Sequence, residues 1–260
     1  MPIGPGRMPL LDHLGELRRR LTIVVVTLIA FTLIMYFAAP TVIDLLTDPI
    51  KPFVPDGKFY IGSALGGFTT RFSIGFRTAL VMCSPMIVWQ VLAFFLPALK
   101  PNERKWVVPT VLAATCLFFV GMIFCYFFIV PPAFEWLTGE VEAVASAWAM
   151  LDDYIGTEML LMIGFGVAFE LPLIVFYLAV FHIVPYASFR SAWRVIYVVL
   201  AVVAACITPD ASPVTMLLMF AVLVTLYELA LFITRFVIVA REGKDGLKAR
   251  RVSLFADDDE

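Results

Sequence analysis

The sequence predicts an all-α polytopic membrane protein with six transmembrane helices, both termini cytoplasmic, structured outer loops, and short fifth and sixth helices. Three observations carry this. The 260 residues are 62% hydrophobic and only 15% charged, against about 25% charged in a soluble domain. The mean hydropathy is +0.94, and so much apolar surface is solvated by lipid. The long segments are apolar all round rather than alternating, which fits helices with internally satisfied backbones and not the strands of a barrel. Lys and Arg gather on one side of the spans, the side that stays in the cytoplasm.

The elements follow in order. Asp12 to Leu21 reads as a charged amphipathic helix that runs directly into the first span, 20–39. Leu10, Leu14, Leu17 and Leu21 share one face, and Asp12, Glu16 and Arg20 step by four along another. The remaining spans are expected at 72–96, 107–130, 157–181, 194–208 and 213–234. Span two contains Pro85. Span four contains Pro172, which removes a helix hydrogen bond and bends the helix. In span five the unbroken apolar run is Val195 to Ile207, and in span six it is Val214 to Leu226, before Glu228. Each covers roughly 20 Å at about 1.5 Å per residue, less than the hydrocarbon core of about 30 Å. Either such helices thin the bilayer or their polar ends snorkel. The outer segment 40–71 mixes Pro40, Pro49, Pro52 and Pro55 with apolar residues. Residues 133–152 have the spacing of an amphipathic helix lying at the outer surface. Residues 1–236 are expected to form one membrane domain, and 237–260 a charged, solvated cytoplasmic tail ending in Asp257-Asp258-Asp259-Glu260.

Fifteen of the 19 Lys and Arg residues fall on one side: Arg7 and Arg18–Arg20, the loop after span two, Arg190 and Arg194, and the segment from Arg235 onward. The other side holds Lys51, Lys58, Arg71 and Arg77, the last expected to snorkel. No cleavable leader is expected, because no small-residue cleavage pattern follows the first apolar run. Cys83, Cys116, Cys125 and Cys206 all lie in apolar segments and read as small buried hydrophobes without an outer disulfide. His13 and His182 lack metal-ligand spacing, and no phosphate loop or dinucleotide fingerprint is present. No internal repeat supports the paired-half plan of many transporters.

Five polar residues need a reason. Glu16 fits a surface ion pair, or a docking carboxylate for a basic partner. Glu103 is the only acid in the positive loop after span two, and has the same two readings. Two carboxylates on one membrane face could take two guanidinium groups, because the planar fork of arginine makes paired bonds that lysine cannot. Glu170 lies mid-span and should face a partner or a water-filled cavity, or else be a neutral acid satisfied by a backbone carbonyl freed by the bend at Pro172. Glu228 lies nearer the inner end of span six. Asp210, beside Thr208 at the outer junction, fits a helix cap.

Several stretches resemble the TatC family, the membrane core of the twin-arginine export system. They are His13-Leu14-x-Glu16-Leu17-Arg18-x-Arg20; Pro85, Gln90, Phe94 and Pro97-Ala98-Leu99 followed by Glu103-Arg104; Phe165-Gly166-x-x-Phe169-Glu170-x-Pro172; Thr208-Pro209-Asp210; and Glu228 through Arg235-Phe236. Their order and spacing agree over about residues 8 to 240. The resemblance implies a receptor and scaffold without chemical catalysis or cofactor. It implies that Glu16 and Glu103 bind the twin arginines of an export signal, and that Leu14, Arg18, Phe94 and Leu99 shape the patch around them. It implies an outer cap fixed by Pro49, and partner docking at Glu170, Thr208, Asp210 and Glu228 by single-span subunits of the TatA and TatB type. It further implies self-association in a larger complex in the cytoplasmic (inner) membrane and transport driven by the proton motive force. The turn after Thr208 departs from the family pattern. A single Pro209 stands there, and Ser212-Pro213-Val214-Thr215 follows with no glutamine.

Two other classes compete. A solute transporter would use Glu170 and Glu228 as proton sites, and the missing repeat argues against it. An intramembrane enzyme would need a catalytic pair at matching depth, and none is legible.

Overall fold

The computed structural model describes residues 10–54, 57–95, 107–142, 149–181, 183–208 and 212–243. Among them every regular element is helical, and the one extended pairing joins Tyr60 to Met150. There the Tyr60 N–H donates to the Ala149 carbonyl at 2.8 Å and the Leu151 N–H to the Tyr60 carbonyl at 3.0 Å. Loop segments far apart in sequence are thereby held together, as expected for structured loops.

Among the described residues four helices are long and apolar enough to cross a membrane, a fifth arises if one bent pair counts as one span, and one further apolar helix is shorter. The first, α1, is Leu10–Thr47, 38 residues. It contains the charged amphipathic stretch and span one without a break, passes through Pro40, and outruns the expected end at 39. Span two is a bent pair, α2 (Gly66–Met82) and α3 (Ser84–Phe95). The bend is 53° and falls at Cys83, where Pro85 can neither donate to Val81 nor clear its carbonyl. A 3₁₀ turn, Lys51–Phe53, follows Pro49.

Span three runs on as α4 (Val107–Phe124), a π turn (Cys125–Ile129) and α5 (Val130–Glu142). Pro131 and Pro132 lack the N–H groups that an α-helix would give to Phe127 and Phe128, and the wider turn relieves the ring clash. Val107–Glu140 therefore forms a single candidate span of 34 residues. This corrects the separate surface helix expected in 133–152. Its first part continues span three, and residues 143–148 lie outside the described set. Span four is α6 (Leu151–Ala168) and α7 (Leu171–Val180), broken at Phe169–Glu170 just before Pro172, as expected. It starts six residues earlier than 157.

A short helix, α8 (Tyr186–Ser191), precedes α9 (Trp193–Ile207) and α10 (Pro213–Glu242). With 15 residues, α9 is about 22 Å long and short for a span, as expected. The sixth helix is not short: α10 has 30 residues. The polar Glu228 interrupts its apolar run without interrupting its backbone. Its N-cap is Ser212, whose Oγ accepts from the Thr215 N–H at 3.3 Å.

Contacts divide the chain into two compact units. The first comprises Met1–Asp48, Phe59–Cys116 and Ala149–Gly156. In it α1 and α2 approach backbone to backbone: a Cβ on Gly75 would lie 2.9 Å from the Tyr36 nitrogen. Small residues permit such contacts in membranes. In the same unit the Arg77 guanidinium lies over Gly156 of α6, with Nη1 3.1 Å from the Cβ position there. The second unit comprises Pro49–Lys58, Leu117–Trp148 and Thr157–Glu260. Its interior includes Phe134, Phe165, Leu161, Met219, Leu223 and Tyr227, all buried. Gly121 lies against the Phe165 carbonyl and the Phe169 ring.

Large apolar side chains also face outward: Phe37 is 81% exposed and Phe236 73%. Water would not tolerate so extensive an apolar surface, and lipid covers it. Cys83 and Cys125 are buried as expected, whereas Cys116 and Cys206 are exposed, on the outward faces of α4 and α9.

Candidate functional site

The charged stretch of α1 and the face of α3 meet in the first unit. Glu16 and Arg20, one helical turn apart, form an ion pair in which both side chains are 23% exposed. Arg20 donates to Glu16 Oε1 through Nε at 3.0 Å and also through Nη2. Its Nη1 donates to Gln90 Oε1 on α3 at 3.1 Å. One guanidinium thus bridges two helices and fixes the Glu16 carboxylate. Both bonds to Glu16 converge on Oε1, and among the described residues Oε2 accepts no hydrogen bond. Phe94, half-buried, follows Gln90 by one turn of α3. Leu14 and Arg18 are exposed on α1, with Leu14 59% exposed. The structure therefore brings Glu16 and Phe94 onto neighbouring helices. Glu103 and Leu99 lie outside the described residues.

The intramembrane candidates are spread through the second unit. Glu170 sits at the break between α6 and α7, and its Oε1 is buried without a hydrogen-bond partner among the described residues. Thr208 ends α9, where its hydroxyl donates to the Ala204 carbonyl at 3.0 Å. Asp210 lies outside the described residues. The cap of α10, a role for which Asp210 was the sequence candidate, is made by Ser212.

Glu228 is not a bare carboxylate. Arg190 Nη1 donates to its Oε2 at 2.8 Å and its Oε1 at 3.1 Å, and the Tyr197 hydroxyl donates to Oε1 at 2.8 Å. The hydrogen bond that Arg190 donates to Glu228, and then the Glu228 charge, push the Arg190 guanidinium further above its already high ordinary value. The adjoining Tyr227 hydroxyl donates to the Phe189 carbonyl at 3.0 Å. Together these bonds tie α8 and α9 to α10. Pro49 sits half-buried in the turn after α1, and Pro85 and Pro172 mark the two breaks.

Three features escaped the sequence. Gln90 as the partner of Arg20, and Arg190 with Tyr197 as partners of Glu228, are tertiary contacts with no local signal. The third is Glu158 on α6, fully buried at 0% exposure. A span beginning at 157 leaves it at the rim; starting the helix at Leu151 moves it inside. Among the described residues no group of His, Cys, Asp and Glu side chains is arranged to hold a metal ion.

Known proteins match this architecture. Residues 12–221 fit the family model described as Sec-independent protein translocase protein (TatC). The Sec-independent protein translocase protein TatC of Deinococcus radiodurans is 34% identical over 242 residues, 91% of this chain and 90% of that protein. The protein of the same name from Aquifex aeolicus is 30% identical over 244 residues, 93% of this chain and all of that protein. A crystal structure of a twin arginine translocase receptor, TatC, in DDM superimposes with a TM-score of 0.74 at 29% identity. It covers 85% of this chain and 99% of that one. With its all-helical membrane architecture and matches over most of its length, this chain belongs to the TatC family, protein translocase components rather than enzymes.

Proposed function

We propose that this chain is the receptor and scaffold subunit of a twin-arginine translocase. It binds the twin-arginine signals of folded cargo at the cytoplasmic face. It also organises single-span partners of the TatA and TatB type for export powered by the proton motive force. Each charge moved through 100 mV contributes about 2.3 kcal/mol. The chain sits in the cytoplasmic membrane with both termini inside, a placement supported by the Lys and Arg bias.

The observation that supports signal binding most is the state of Glu16. Its carboxylate is held by Arg20, which is itself anchored on Gln90, and Oε2, without a donor among the described residues, can accept an incoming guanidinium. A planar arginine fork suits that oxygen better than an ammonium group. Glu103 takes the second arginine of the signal, and Leu14, Arg18, Phe94 and Leu99 shape the surrounding patch. Glu170, Thr208, Asp210 and Glu228 receive partner helices. At Glu228 the surface offered is the Arg190–Tyr197–Glu228 cluster rather than a single charge. Pro49, Pro85 and Pro172 hold the shapes of the elements that carry these groups.

The test is binding of a twin-arginine signal peptide and its Lys-Lys counterpart to the purified chain in nanodiscs, with Glu16 and Glu103 intact or replaced by Ala. Preference for Arg-Arg that disappears in both variants is the expected result. Equal binding of the two peptides would mean that only charge is read, and binding indifferent to both replacements would remove the site.

A further inference from the structure

Glu158 is a fully buried ionisable group that the proposed function leaves unused. It lies on α6, and its side chain is 0% exposed. Both carboxyl oxygens are buried without a hydrogen-bond partner among the described residues. One turn to either side on its own face are Ile155 and Leu161, both buried. The second unit packs apolar rings around the next stretch of this helix: the Phe124 and Phe165 centroids are 6.4 Å apart.

The charged and titratable neighbours are few. Cys125, buried on the π turn, is within electrostatic reach of Glu158. On α4, Cys116 is exposed on the outward face. Where α9 and α10 meet α6, they do so at Gly164, through Ile207 and Met219, which are apolar. Arg77 lies over Gly156, two residues before Glu158 and on a different face of α6. Glu170 is twelve residues further along, about 18 Å by helical rise. No cation among the described residues pairs with Glu158.

A bare carboxylate so placed, enclosed by protein and with no counter-charge among the described residues, loses its hydration without replacement, and binding a proton removes the charge. We propose that Glu158 is a proton-binding site within the fourth span, holding a carboxylic acid that exchanges its proton with water at the Leu151 end of the helix. That end is seven residues away, about 10 Å, whereas Val180 at the other end is 22 residues away, about 33 Å. The proton is the ligand, and the asymmetric depth makes the site answer to one side of the membrane. The signal-binding role of Glu16 has no part in this inference.

The test uses the full chain in lipid nanodiscs and infrared difference spectroscopy between the parent and Glu158→Gln at neutral pH. The expected result is loss of the carbonyl stretching band of a protonated carboxyl group, a band that shifts in the parent when water is replaced by D₂O. Loss of carboxylate bands instead, or an unchanged spectrum, would overturn the proposal. A protonated band that stays put in D₂O would overturn the exchange. Fold is checked with Glu158→Gln and Glu158→Met together. Folding of either neutral variant with the melting temperature of the parent or higher is expected, and collapse of both would show that a charge at Glu158 holds the structure.

Discussion

In the proposed receptor role Glu16 has two demands to meet: it must be fixed, and it must be able to accept a new donor. Arg20 and Gln90 meet the first, and the convergence of Arg20 on one oxygen meets the second. Glu16→Ala should therefore weaken twin-arginine peptide binding by about 2–5 kcal/mol, much of it from the arginine left uncompensated. Calorimetry on the nanodisc-embedded chain measures this, and a loss below about 0.5 kcal/mol would mark a solvated rim contact. Glu170→Ala should behave differently. Signal binding should stay near the parent value while export by vesicles carrying the partner subunits falls, and unchanged export would remove its role. The Glu16–Arg20 pair was legible in the sequence, because residues four apart on a helix face one another. Gln90 was legible only as part of a family pattern, because its contact to Arg20 spans 70 residues. Glu158 was missed because a single acid at an uncertain span boundary reads as a surface residue.

At the scale of elements, proline positions were the most readable signal and proline consequences less so. Pro172 breaks its span as the sequence reading expected, whereas Pro85, placed by the sequence only within span two, breaks its span as well. Pro131 and Pro132 do something subtler: they widen span three into a π turn and let it continue, so a helix expected at the surface becomes the end of the third span. The junction before α10 shows the same limit. Several residues there could cap, and geometry selects Ser212. Ser212→Ala should cost about 1 kcal/mol of stability through the lost cap, read as a lowered melting temperature in detergent. The contact of α1 with α2 gives a second expectation. Gly75→Ala places a methyl group 2.9 Å from the Tyr36 backbone nitrogen, and backbone cannot move aside as a flexible side chain can. Overpacking of this kind costs about 1–3 kcal/mol. A Gly75→Ala chain as stable as the parent would show that α1 and α2 are not locked together there.

For the whole molecule, composition and the all-round apolar segments were enough to give the class, a polytopic all-α membrane protein, because lipid imposes one simple rule on backbone and side chain alike. The lengths of the spans were less accessible. A helix continues past its apolar run when polar groups pair within the protein, as Glu228 does with Arg190 and Tyr197. Orientation rests on the Lys and Arg bias and is directly measurable. In a cysteine-free background, Lys58→Cys should react with an impermeant maleimide from the outer side, and Ser191→Cys from the cytoplasmic side. Both positions are exposed, and labelling of both from one side would break the six-span topology.

In the proposed function the face carrying Glu16, Leu14, Arg18 and Phe94 receives the export signal. The most direct measurement is photo-crosslinking of a signal peptide whose probe sits beside its two arginines, followed by mapping of the adducts on the full chain in membranes. Adducts on α1 near Leu14 and Arg18 and on α3 near Phe94, lost when the arginines become lysines, are the expected result. Adducts concentrated on α9 and α10 around Thr208, or a pattern unchanged by Lys-Lys, would contradict it.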